Sequence, residues 1–244
     1  RTGTYWRPGG PARSVGWGIV NARVILLAGP SGSGKTSLLR RVGAKRLKLD
    51  DFYRDGDEAG MPLVGGGITG GAGSGPRGAG SREASRIDWD HPDSWDAERA
   101  MRAILDLCAV GRTEVPIYSI PGNAAVGRAG LDIGRAHAFV AEGVFAAELI
   151  DRCRAEGVLA AALVLRRPRP ATWWFRLRRD LVERRKPPAV LLRRGLRLAL
   201  EEPERVRDWM ERGCRAVSRR QCEAAIAEHI GSFAVPGNRA DGVM

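Results

Sequence analysis

Gly29-Pro30-Ser31-Gly32-Ser33-Gly34-Lys35-Thr36 is the stretch that decides the fold. An apolar run, Val24 to Ala28, leads into it, and Ser37-Leu38-Leu39-Arg40-Arg41-Val42 leads out as a predicted helix. Strand, glycine loop and helix are the context in which the pattern G-x-x-x-x-G-K-[ST] becomes a phosphate site. Gly29, Gly32 and Gly34 let the backbone curl so that successive N–H groups face phosphate oxygens. The helix N-terminus adds its positive dipole end. Lys35 supplies a mobile cation, and the Thr36 hydroxyl is a ligand for Mg²⁺. A nucleoside triphosphate site is therefore expected over Gly29, Pro30, Ser31, Gly32, Ser33, Gly34, Lys35, Thr36 and Ser37.

Outward from this loop, further elements follow in alternation. Gly43 can stop the first helix. Arg46 to Asp50 alternates polar and apolar and reads as a short strand ending in carboxylates. Asp93 or Ser94 is expected to cap a helix with Ala97, Met101, Ile104, Leu105 and Cys108 on one face, ended by Gly111. Val115 to Tyr118 is a short extended piece, and Pro121-Gly122-Asn123 a turn. Ala138 to Gly143 reads as a buried strand ending at Glu142, followed by a helix to about Ala155 and an apolar strand from Val158 to Leu165. The remainder reads as helical and basic, broken at Pro187-Pro188 and Pro203. Strands alternating with helices imply an α/β fold with a parallel sheet. In such sheets ligands gather at the carboxyl ends of the strands, so Gly29, Asp50 and Glu142 are expected to converge.

The 244 residues suit one large domain over 22–244, preceded by an irregular tail at 1–21. Residues 56–86 are rich in glycine and small side chains and read as a flexible insertion that buries little. Net charge is +12, and the sequence pI is about 10.6. Arg166 to Arg220 carries 18 Lys/Arg against 7 Asp/Glu, so most of the excess sits in that third. This basic region fits polyphosphate or nucleic acid. No aromatic-rich RNA platform accompanies it, so RNA is the less favoured partner. Cys108, Cys153, Cys214 and Cys222 form no C-x-x-C pair and read as reduced thiols of a cytoplasmic protein. No signal-peptide pattern is read at Arg1–Gly18, and the apolar runs are too short to span a bilayer. A homo-oligomer stays open.

Five blocks in order resemble the uridine kinase family, within a group that includes phosphoribulokinase and pantothenate kinase. They are the phosphate loop, Asp50-Asp51-Phe52-Tyr53-Arg54, Asp88 to Asp96 (DWDHPDSWD), Pro116-Ile117-Tyr118 and Glu142-Gly143-Val144-Phe145. The resemblance covers roughly Arg23 to Lys186. It implies a three-layer P-loop kinase fold with a helical lid, acting on ATP and a nucleoside such as uridine or cytidine. Asp50 matches the base that accepts the proton of the attacking hydroxyl, a task that suits a carboxylate facing the loop. Asp90 matches a carboxylate that binds the ribose diol, Tyr53 and Tyr118 match pocket aromatics, and Glu142 matches a glutamate near Mg²⁺. The run Arg176 to Lys186 resembles the family lid. There Arg176 and Arg179 are expected to stabilise transition-state charge and Arg184 to bind the nucleotide.

Each assignment has a plainer alternative. Asp50 and Asp90 could be turn residues, the tyrosines core, Glu142 a strand terminus and the lid a solvated basic helix. The sequence also departs from the family. Ser119 stands where an aspartate is usual, and the Asn123 region stands where a pyrimidine-reading histidine is usual. These departures leave open a kinase for another hydroxylated metabolite, and an RNA-associated P-loop protein.

Overall fold

The computed structural model describes residues 21–30, 32–70, 87–166 and 202–231. The expected lid arginines Arg176, Arg179 and Arg184, loop residue Ser31 and the tail at 1–20 lie outside these residues.

The apolar run before the loop forms β1 (Arg23–Ala28), buried at every position after Arg23. A strand covered on both faces needs no polar alternation, which is why it reads as continuous Val, Ile and Leu. The period of two still sorts its side chains. Val24, Leu26 and Ala28 enter one core with Leu47, Phe139, Ala141 and Val164. Ile25 and Leu27 enter a second core with Val140, Leu163 and Leu165. Full burial of each such side chain stabilises the fold by roughly 1.5–3 kcal/mol. The strand that carries the phosphate loop is therefore among the hardest parts of the chain to displace.

Among the described residues four more strands join β1: β2 (Arg46–Lys48), β5 (Ala138–Glu142), β6 (Leu159–Leu165) and β7 (Arg215–Val217). Their order is β2-β5-β1-β6-β7, and every pairing is parallel. Helix α1 (Lys35–Arg41) and the C-terminal helix, residues 219–231, supply Leu38, Leu39, Cys222, Ala225 and Ile226 to one face. Helix α2 (Ala97–Val110), a 3₁₀ turn at Ala146–Leu149 and α3 (Ile150–Ala155) cover the other. This is the expected three-layer α/β arrangement with a parallel sheet.

Several local expectations change. Residue 96, rather than 93 or 94, caps α2: the Asp96 carboxylate accepts from the Arg99 N–H at 2.8 Å. Asp93 and Ser94 belong to a separate 3₁₀ turn, Pro92–Ser94, where His91 Nδ1 accepts from the Asp93 N–H. Gly111, at φ 73°, ends α2 as expected. Val115 to Tyr118 is part of a long antiparallel hairpin, β3 (Arg112–Ser119) with β4 (Ala124–Asp132), which forms its own two-stranded sheet. In the basic C-terminal region, expected to be helical, Arg215–Val217 pairs with Leu163–Leu165 as the sheet's edge strand. The glycine-rich insertion is not uniformly loose either. Met61 is fully buried, Thr69 donates its N–H to the Met61 carbonyl at 2.8 Å, and the Thr69 hydroxyl accepts from the Met61 N–H at 2.9 Å. Residues 60–69 thus close a small bonded loop around the buried Met61, Pro62 and Thr69, and residues 71–86 lie outside the described residues.

Candidate active site

The phosphate loop runs off the buried end of β1 and turns into α1 at Gly34, whose φ of 87° is open to glycine at little strain. Lys35, only 7% exposed, donates to the carbonyls of Gly29 at 2.6 Å and Pro30 at 3.2 Å. Its ammonium therefore lies across its own loop. Ser33 Oγ is buried without a hydrogen bond among the described residues, and Ser37 Oγ donates to the Gly34 carbonyl at 2.9 Å. A buried hydroxyl lacking a partner is costly unless something else satisfies it, and a phosphate oxygen would do so.

Glu142, at the end of β5, comes next to this loop because β5 is the neighbour of β1. The Thr36 hydroxyl donates to Glu142 Oε1 at 3.4 Å, and Lys35 Nζ lies 4.0 Å from Oε2. Burial pushes the Glu142 carboxyl above its ordinary range. The Lys35 charge opposes that rise, Asp50 adds to it, and Arg46 opposes it again. Thr36 and Glu142 together present two hard oxygens, a suitable start for Mg²⁺, which completes its shell with water and phosphate. Among the described residues no cluster of three or more His, Cys, Asp or Glu side chains could hold a metal by itself.

Asp50 reaches the same place from β2, on the far side of β5. The strand ends at Lys48, and the chain tightens into a 3₁₀ turn, Leu49–Phe52. Asp50 Oδ1 accepts from the Val144 N–H at 3.3 Å. Gly143 makes this approach feasible: a Cβ there would sit 2.8 Å from Asp50 Oδ1 and 2.9 Å from Leu49 Cβ. The turn itself is anchored by Trp95, whose Nε1–H donates to the Leu49 carbonyl at 2.8 Å. Asp51 turns to Lys48 as an ion pair. The three strand-end residues expected to converge, Gly29, Asp50 and Glu142, do so.

The expected acceptor residues gather beside Asp50. Phe52–Arg54 runs antiparallel to Ser94–Asp96: Asp96 N–H bonds the Phe52 carbonyl, and Arg54 N–H the Ser94 carbonyl, both at 2.9 Å. The hairpin clamps on through Ala125 N–H to Asp55 at 2.8 Å and Gly56 N–H to the Asn123 carbonyl at 2.7 Å. Tyr53 is thereby held with Trp89 at 5.8 Å, Tyr118 at 5.8 Å and Phe145 at 5.9 Å between ring centroids. Tyr118 OH donates to the Arg54 carbonyl at 3.2 Å. Burial, aided by the charges of Asp55 and Glu58, raises its phenol well above the ordinary range, so it stays a donor at neutral pH.

Asp90 is half-buried and pairs with Arg205 at 3.4 Å. The partner arises from the helical stretch 202–211, and the sequence reading did not include it. Trp89 and Arg46 were also missed. Trp89 stood inside a recognised block, but only the structure shows its ring against Tyr53 and Tyr118. An open cleft of about 460 Å³ lies nearby between Arg54, Glu58 and Asp96–Glu98. It contains none of the expected site residues, and Arg54 there is tied to the Ala59 carbonyl and to Glu58. The four cysteines are buried and free, with Cys108, Cys153 and Cys222 pushed up to about 12 and Cys214 to about 11 by burial. Such thiols act as apolar packing.

No family model matches the chain. Among curated proteins, a uridine kinase from Chloroflexus aggregans is 31% identical over 105 residues, covering 40% of this chain and 41% of that protein. The chain thus spans less than half the length of the curated relative it matches. Three solved structures overlap it partially. A provisionally named fructose transport system kinase from Silicibacter sp. TM1040 is 16% identical, with TM-score 0.47, over 72% of this chain and 80% of that one. A provisionally named uridine kinase from Bacillus stearothermophilus is 17% identical, with TM-score 0.38, over 63% and 75%. Phosphoribulokinase from Rhodobacter spheroides is 14% identical, with TM-score 0.37, over 71% and 63%. The fold itself stands on the strand order and the loop. The resemblance carried by the sequence motifs has a counterpart in the curated relative, a uridine kinase by name.

Proposed function

We propose that this chain is a P-loop kinase that moves the γ-phosphoryl group of ATP to a hydroxyl of a small molecule, a uridine- or cytidine-like nucleoside accepting at its 5′ position. The observation that carries this reading is the pairing of two carboxylates from neighbouring strands beside one loop. Glu142 touches Thr36, and Asp50 is fixed next to it through Val144. In the proposed reaction the loop N–H groups and Lys35 hold the phosphates. Thr36 and Glu142 would hold Mg²⁺, which neutralises phosphate charge when bound. Asp50 accepts the proton of the attacking hydroxyl, and Tyr53, Trp89 and Tyr118 hold the acceptor. Asp90 accepts hydrogen bonds from a sugar diol, and Arg176, Arg179 and Arg184, which match the family lid, supply positive charge to the phosphates.

The buried free thiols support a cytoplasmic setting. A second reading has one specific observation behind it. Arg205 beside Asp90 places a cation at the acceptor side, which favours an acceptor bearing an anionic group, such as a sugar phosphate.

The test is ADP release from ATP·Mg²⁺ with uridine, cytidine, pantothenate and sugar phosphates, using Lys35→Ala as the control. Uridine or cytidine should give the highest kcat/KM, and Lys35→Ala should abolish it. A sugar phosphate as best acceptor would replace the nucleoside assignment. Acceptor-independent release, or unchanged turnover in Lys35→Ala, would overturn the kinase reading.

A further inference from the structure

Arg46 stands in the candidate site with no part in the chemistry above. Its Cα lies beside Val140, while Lys48 lies beside Glu142. The Arg46 side chain therefore runs two residues along the sheet to reach the site. Its direction follows from the pleat. Leu47 turns into the core on the α2 face, which puts Arg46 on the opposite face, the side of α1 and Thr36.

There its Nη1 donates to Thr36 Oγ1 at 3.2 Å and to Glu142 Oε1 at 3.5 Å, while those two oxygens are 3.4 Å apart. Three atoms thus form a nearly equilateral triangle, and two of them are the oxygens expected to face a divalent cation. A guanidinium and a dication cannot both lie against that oxygen pair without strong repulsion. One member must leave, and burial says which. The Glu142 and Lys35 side chains are 6% and 8% exposed, but Arg46 is 34% exposed and has solvent to move into.

We propose that Arg46 is the resident counter-cation of the Thr36–Glu142 pair, and that a divalent metal arriving with nucleotide must displace it. Arg46 then sets the metal concentration at which the site loads. This rests on reading the loop as an ATP·Mg²⁺ site.

Mn²⁺ serves as the probe, followed by electron paramagnetic resonance as it titrates into the full chain with ADP present. Arg46→Gln and Arg46→Met should bind Mn²⁺ about threefold to tenfold more tightly than wild type, the size of one partly exposed charge contact. Arg46→Lys, which keeps the charge, should stay closer to wild type. Equal or weaker Mn²⁺ affinity in the neutral variants would overturn the proposal, as would an equal gain in Arg46→Lys. Arg46→Gln keeps a hydrogen-bonding head, so it gives the same answer if Arg46→Met fails to fold. Normal wild-type binding with an unchanged Arg46→Gln defeats this proposal alone. A wild type that binds no ADP defeats the phosphate-site reading and this proposal together.

Discussion

The phosphate side and the acceptor side of the site are built from different materials. Lys35, Thr36 and Glu142 hang from β1, α1 and β5, where the strands are buried on both faces. Tyr53, Trp89, Asp90 and Tyr118 stand on a turn, a loop and a hairpin whose second strand is largely exposed. The first half inherits its geometry from the sheet. The second is assembled by side-chain clamps such as Ala125 to Asp55 and Tyr118 to Arg54. The contrast separates two tasks: phosphate handling is placed on the rigid scaffold, and acceptor reading on segments that can vary without unfolding it. Asp50 is the hinge between them, on a turn that follows one of the sheet strands.

That position makes Asp50 the sharpest place to test the division. Asp50→Asn should lower kcat by roughly 10²–10⁴-fold while ATP affinity holds, the usual worth of a general base. Asp51→Asn should do far less, since Asp51 is turned to Lys48. Steady-state kinetics plus nucleotide titration decide it, and equal mild effects would remove Asp50 from the chemistry. The acceptor side should also prove to have structural support of its own. Met61→Ala, emptying a fully buried site outside both sheet cores, should destabilise by about 2–5 kcal/mol in a denaturant melt. A loss below half a kcal/mol would return the whole insertion to a loose role.

A smaller effect should fall on one side of the division only. Trp89→Ala should raise the acceptor KM about tenfold, a ring contact's worth plus its burial, and leave ATP affinity unchanged. Loss of ATP affinity would show the two halves are coupled. The subtlest test is a pH slope. Burial lifts the Glu142 carboxyl above its ordinary 4.5, so the native chain holds that proton more tightly than the unfolded chain. The unfolded chain therefore releases it first as pH rises, and stability from this group falls from about 4.5 up through the raised native value. Glu142→Gln should flatten that slope in pH-dependent melts, and an unaltered slope would place its origin elsewhere.

Legibility in the sequence followed the locality of the cause. The phosphate loop, β1, β5 and the end of α2 at Gly111 could be read because each is written in consecutive residues. The β4 strand could not: Ala124–Asp132 is rich in alanine and glycine, and only pairing with β3 makes it a strand. Arg215–Val217 is three residues amid arginines and becomes a strand through Leu163–Leu165. In the candidate site, Asp50, Tyr53, Asp90, Tyr118 and Glu142 are proposed from recognisable blocks. Arg46 and Arg205 belong to no such block, because what brings them in is strand register and a contact across 115 residues. The cap of α2 was misplaced by a few residues because Asp93, Ser94 and Asp96 are all good N-caps, and only the 3₁₀ turn before the helix separates them.

The strand order has a consequence for how this molecule behaves in a crowded solution. Among the described residues the sheet ends on β2 at one side and β7 at the other, and each is three residues long. Both border strands are also charged, with Arg46 and Lys48 on one and Arg215 on the other. Unpaired borders are where sheets of separate molecules fuse into aggregates, and short, cationic strands are a natural defence. Among the described residues the core is thus bordered by two strands too brief and too cationic to be ready templates for a strand from a neighbour.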